Sequence, residues 1–105
     1  MSQRALSPQQ FPRTGYVHEE NVGAHVNEFK PGQFYLRNLH VPEEHRGKGV
    51  GSRFMANLLA EHDKAGTSVT LHTARPELVR WYGGMGFKTE EEDLFGTRMT
   101  RAPQR

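Results

Sequence analysis

The chain has 105 residues, of which 34% are hydrophobic and ten are aromatic (six Phe, three Tyr and one Trp); this is one domain's length, with enough apolar material for a single core. Fourteen Lys and Arg face twelve Asp and Glu, for a net charge of +2, and they are spread along the chain rather than gathered into a stripe, which argues against nucleic acid as a partner. There is no cysteine, so a disulfide framework, a Cys-containing zinc site and a cysteine nucleophile are excluded, and a reducing, cytoplasmic setting fits.

Residues 1–14 hold Pro8 and Pro12 and lack the apolar stretch of a signal peptide. They read as an irregular segment. No apolar run in the chain approaches the roughly 18 residues of a membrane span. Residues 16–18, 22–29 and 34–41 read as three strands of an antiparallel meander. The polar turn Glu19-Glu20-Asn21 joins the first pair, and Lys30-Pro31-Gly32-Gln33 joins the second. Pro42 stops the third strand, and residues 43–51 are too rich in glycine for regular structure. A helix follows, with Phe54, Met55, Leu58, Leu59 and His62 on one face and Arg53, Asn57, Glu61 and Lys64 on the other. Gly66 stands where a helix ends.

Residues 69–73 read as another strand. Arg75-Pro76 opens a second helix with Leu78, Trp81, Tyr82 and Met85 on one face and Gly86 at its end. Residues 88–93 and 94–99 read as a final hairpin, with the acidic run 90–93 as a solvated turn. Residues 101–105 read as a flexible tail, and Arg98, Arg101 and Arg105 as a solvated basic end. The order β-β-β-α-β-α-β-β specifies one α/β (α+β) domain over residues 1–105, with a mixed central sheet. The step around the glycine loop is parallel and right-handed.

The strongest chemical signal is Arg46-Gly47-Lys48-Gly49-Val50-Gly51, set between a strand and an amphipathic helix. Glycines let main-chain N–H groups approach a ligand, and a helix N-terminus carries partial positive charge. The loop therefore suits a phosphate or pyrophosphate. The Walker A pattern fails, because no glycine lies five residues before Gly47 and Gly49 stands in place of Ser or Thr. The dinucleotide fingerprint fails at Ser52. No His-Glu-x-x-His spacing exists, so no metal is expected.

The pattern Arg-x-x-Gly-x-Gly, embedded in residues 39–54, resembles the coenzyme-binding motif of the GNAT family of N-acetyltransferases. Trp81-Tyr82-Gly83-Gly84-Met85-Gly86-Phe87 resembles that family's later aromatic-Tyr-x-x-x-Gly-Phe motif, in the right order. The resemblance spans residues 16–99. It implies an acyl-CoA N-acyltransferase fold, acetyl-CoA as co-substrate, and transfer to an amine in a ternary complex. By that resemblance, amides of Arg46, Gly47, Lys48, Gly49, Val50, Gly51 and Ser52 hold the pyrophosphate. Leu39 and Val41 meet the pantetheine arm, in a gap opened against strand 69–73, and an N–H near Val41 polarises the thioester carbonyl. Tyr82 assists the leaving sulfur.

Base candidates for the amine are Asn38 (through a water) and His40 on the central strand, of which only His40 can itself take a proton, and Glu19, Glu20 and His25 on the preceding hairpin. Arg75 replaces an asparagine frequent in the family and suits a CoA phosphate. Gly83-Gly84 departs from the usual helix formers. The family's first strand and first two helices have no counterpart here. The acceptor site is then either open to something large, such as a protein side chain, or completed by a second chain in a homodimer. A non-catalytic acetyl-CoA-binding module that docks on a partner protein is the alternative. A nucleotide or nucleic-acid binder using the basic loop is the third reading.

Overall fold

The computed structural model of the chain describes residues 12–19, 21–45, 47 and 49–104. Alternating apolar side chains drive the first three strands: β1 (Gly15–Glu19), β2 (Val22–Lys30) and β3 (Gln33–His40). In β2, Val22, Ala24 and Val26 are buried, while Asn27 and Phe29 are exposed, the period-2 signature of a half-covered sheet. A single 3₁₀ turn, Glu43–His45, precedes α1 (Val50–Ala65). Then come β4 (Ser68–Thr73), α2 (Pro76–Gly83), β5 (Lys88–Asp93) and β6 (Gly96–Arg101).

The six strands form one sheet in the order β1-β2-β3-β4-β6-β5. The β3–β4 pair is parallel, joined through α1, and the other pairs are antiparallel. Phe54, Met55, Leu58 and Leu59 of α1 and Tyr82 of α2 join Val22, Ala24, Val26, Phe34, Leu36, Val69, Leu71 and Met99 in one core. Both helices therefore lie on one face of the sheet. At about 25 cal/mol per Å² of apolar surface, this shared burial is the main stabilising term.

Three expectations change. Helix α1 begins at Val50, inside the glycine stretch, so Val50, Gly51 and Ser52 form its first turn. Helix α2 ends at Gly83, with Gly84 as its C-cap. Two glycines cost about 1 kcal/mol each in a helix interior, and the chain instead tightens through bonds from the Met85 and Phe87 N–H groups to the Tyr82 carbonyl. The acidic run lies on strand β5; the turn is Leu94-Phe95. Arg98 holds that run by pairing with Glu90 at 3.4 Å and Glu91 at 3.0 Å. Charge on an edge strand also blocks pairing with a further strand.

Arg101 is not part of a solvated tail either. It closes β6, is buried, and forms two bonds to Asp63 at 2.7 and 3.1 Å and one to the Met85 carbonyl at 2.7 Å. A guanidinium with several bonds can be buried where a bare charge cannot.

Candidate active site

The site grows from a fault in the sheet. β3 and β4 share only the rungs Gln33–Ser68, Phe34–Val69 and Tyr35–Thr70. Beyond them the strands part. On the other side of β3, Gly23 pairs with His40 and His25 with Arg37, so β3 spends one more residue than β2 over the same span. Asn38 sits in this bulge with φ 57°, a left-handed conformation that asparagine tolerates better than most side chains.

A groove of about 660 Å³ lies over the parted strands. Leu39 of β3 and Val41 just beyond it line the groove, with Gly47, Gly49, Val50, Gly51 and Ser52 from the loop and first turn of α1, and Arg75 and Tyr82 from α2 and its entry. Gly47 and Gly49 take φ 79° and 76°, and a Cβ on either would meet open space. Backbone conformation, not crowding, demands glycine there. Gly49 is the N-cap of α1, with no side-chain cap. The first closed turn is the Arg53 N–H to the Gly49 carbonyl at 2.9 Å. The N–H groups of Val50, Gly51 and Ser52 precede any intrahelical acceptor, at the end of the helix that carries partial positive charge.

Gly51 serves closeness instead. A Cβ there would lie 3.0 Å from Val41 Cγ2 and 3.8 Å from the Trp81 ring. Trp81 donates from Nε1 to Ser52 Oγ at 3.3 Å, tying α2 to the first turn of α1. Arg75 donates from Nε to Glu77 Oε2 at 3.0 Å and is largely exposed. Tyr82 is 5% exposed, with its ring 5.0 Å from Trp81 and 5.6 Å from Phe87. Burial pushes its hydroxyl up to about 12, so at neutral pH it is a hydrogen-bond donor and not a base.

The base candidates do not join the groove. His40 is exposed and, as the partner of Gly23, points to the face without helices. Glu19 is paired with Arg13 at 3.1 Å and accepts from Asn57 at 3.2 Å. His25 is half-buried beside Tyr16, ring centroids 5.2 Å apart, and Asn38 is exposed. Arg46, Lys48 and Glu20 lie outside the described residues. Glu77, Leu78 and Trp81 also line the groove; their spacing with Tyr82 (i, i+1, i+4, i+5) marks one helix face and was the signal for them. Among the described residues no group of three or more His, Asp and Glu could hold a metal ion.

Residues 3–100 match the family model described as an acetyltransferase (GNAT) domain. The chain belongs to the GNAT family. No curated protein matches it by sequence. Among solved structures, it is similar to a protein from Agrobacterium tumefaciens assigned as an acetyltransferase, at 23% identity and TM-score 0.68, over 86% of this chain and 74% of that one. The ribosomal-protein-S18-alanine N-acetyltransferase from Escherichia coli matches at 15% identity and TM-score 0.70, over 86% and 70%. The PaiA N-acetyltransferase from Thermoplasma acidophilum, in complex with coenzyme A, matches at 19% identity and TM-score 0.67, over 77% and 52%. These likenesses establish the GNAT fold, a mixed sheet with the glycine loop between β3 and α1. The chain spans between half and three quarters of those neighbours.

Proposed function

We propose that the chain is an acetyl-CoA-dependent N-acetyltransferase that moves the acetyl group directly to an amine in a ternary complex. The observation that carries this reading is the single groove uniting an uncapped helix N-terminus, two left-handed glycines and a parted strand pair. Uncapped amides at a helix N-terminus are suited to a diphosphate. The N–H groups of Val50, Gly51 and Ser52 hold it in this reading, with Gly47 and Gly49 shaping the approach and Arg46 and Lys48 adding charge. Arg75, on the far lip, meets a further phosphate of the coenzyme. Leu39 and Val41 flank the pantetheine arm where β3 has left β4.

The bound coenzyme supplies an activated acetyl thioester. Tyr82 donates a hydrogen bond to the sulfur as it gains charge, since a thiol near 8.5 is a better anion than a phenol near 12. A free amine with pKa about 10.4 must lose a proton before it attacks. His40, beside the bulge and on the face that no described element covers, is the candidate for that role. Lacking a cysteine, the chain has no thiol to carry the acetyl group.

One observation favours the second reading, a non-catalytic acetyl-CoA-binding module. Glu77 is the one carboxylate lining the groove among the described residues, and it is engaged by Arg75. Two measurements separate the readings. Acetyl-CoA and CoA at 100 times their dissociation constants should each stabilise the protein by about 2.7 kcal/mol, with ATP and NAD giving less. CoA release with amines and lysine peptides should then follow. Binding without release supports the module, and no stabilisation by either CoA species sinks both readings.

A further inference from the structure

Among the described residues no element covers the face of the sheet opposite the helices, and that face carries a trough of about 870 Å³. Asn27, Phe29, Lys30, Tyr35, Arg37 and Thr70 line it. Tyr35–Thr70 is the last rung before β3 and β4 part. The trough floor therefore abuts the point where the coenzyme groove begins on the other face. A chain lying in the trough reaches the parted strands without crossing the helix layer. Phe29 and Tyr35 meet edge to face, centroids 6.2 Å apart, and Phe29 is 47% exposed. They form an apolar ledge at one end.

Charge selects what lies there. On the β5–β6 wall, Arg98 pairs with both Glu90 and Glu91, which leaves one carboxylate in excess there. Lys30 and Arg37, on the β2–β3 side, are exposed and make no ion pair among the described residues. The β2–β3 side of the trough is thus positive and its β5–β6 wall carries the excess carboxylate, although the acceptor of an N-acetyltransferase arrives as a cation. Resting on the acetyl-transfer reading, we propose that the acceptor amine is a lysine carried on an acidic protein segment, whose carboxylates meet Lys30 and Arg37 in this trough.

The two cations have distinct places. Lys30 pairs with Gln33, and Arg37 lies four residues further along β3, about 13 Å at strand rise. Arg37 stands nearer the parted strands. A guanidinium beside an ammonium favours the neutral amine, the form that attacks. Lys30 anchors a carboxylate some three or four residues from the acceptor lysine in an extended segment.

The test uses three short peptides, each with one central lysine flanked by acidic, neutral or basic residues, in a CoA-release assay with the full chain. The acidic peptide should exceed the basic one about tenfold in kcat/KM, as two exposed charge contacts allow. Lys30→Glu with Arg37→Glu should reverse that order while leaving stabilisation by acetyl-CoA unchanged. Equal rates on the three peptides, or a preference that survives charge reversal, overturn the proposal. So does a dimer in sedimentation that the same double variant disperses, because the face would then belong to a second copy. Loss of acetyl-CoA stabilisation in the unaltered chain would instead strike the acetyl-transfer reading beneath it.

Discussion

Tyr82 shows how one position serves packing and chemistry together. Its ring is wedged between Trp81 and Phe87, and its burial raises the hydroxyl to about 12. The hydroxyl therefore acts by donating a hydrogen bond to a sulfur that is gaining charge, and donating a full proton to a thiolate near 8.5 would run uphill. Tyr82→Phe keeps the ring and removes the donor. The expected outcome is unchanged acetyl-CoA affinity and a fall in kcat of about 10²-fold, the usual scale for a positioned proton donor. Steady-state kinetics beside a thermal shift check this, and unaltered kcat takes Tyr82 out of the chemistry. Trp81, next along the helix, has a different task. Its indole N–H holds Ser52, so it sets where the first turn of α1 sits.

The elements divide the coenzyme site between a helix start and a strand that stops pairing. Gly49 caps α1 in the left-handed region, and an alanine there carries a strain of about 1–2 kcal/mol. The helix relieves part of that strain by moving its first turn, so Gly49→Ala should weaken acetyl-CoA binding at least tenfold in a calorimetric titration, with the melting temperature lowered by no more than about 10 °C. Retained affinity would mean that the uncapped amides are not the diphosphate cradle. The helix start was legible in the sequence because glycine, an amphipathic repeat and a preceding strand each leave a local mark. The Asn38 bulge and the exact rung where β3 leaves β4 were not, since register depends on partners distant in sequence. The same limit hid the pairing of Arg98 with the acidic run and of Arg101 with Asp63. Both arginines look like a solvated basic tail until the fold brings carboxylates to them. His40 was fixed on its strand by periodicity, yet its face turned on the bulge two residues earlier.

At the scale of the whole fold, the described helices α1 and α2 pack on one side of the sheet, and α1 seals the core there with a histidine. His62 is wholly buried, its Nδ1 2.8 Å from Thr67 Oγ1 and its ring 4.9 Å from Phe34. Thr67 in turn donates to the His62 carbonyl at 3.4 Å. That chain assigns the proton to Nδ1 and leaves Nε2, which has no partner among the described residues, as a bare lone pair rather than a costlier orphaned N–H. Burial, reinforced by the Arg101 charge and opposed by Glu61 and Asp63, lowers its pKa from 6.5 to about 4. The unfolded chain therefore binds a proton between pH 6.5 and 4 that the folded chain refuses, and stability falls as the pH drops through that window. The loss amounts to about 3 kcal/mol by pH 4, or roughly 10–20 °C in melting temperature for a domain of this size. Asp63 adds a second, lower window. The Arg101 bonds hold its carboxyl below 3.8, so its contribution persists above that value and is lost only as the pH falls further. His62→Leu removes the first window and leaves the second. Melting curves of the two proteins should diverge in slope between pH 6.5 and 4 and run parallel below it. Equal slopes in the upper window would show that the charge on His62 is accommodated, and that the core beneath α1 is wetter than its burial indicates.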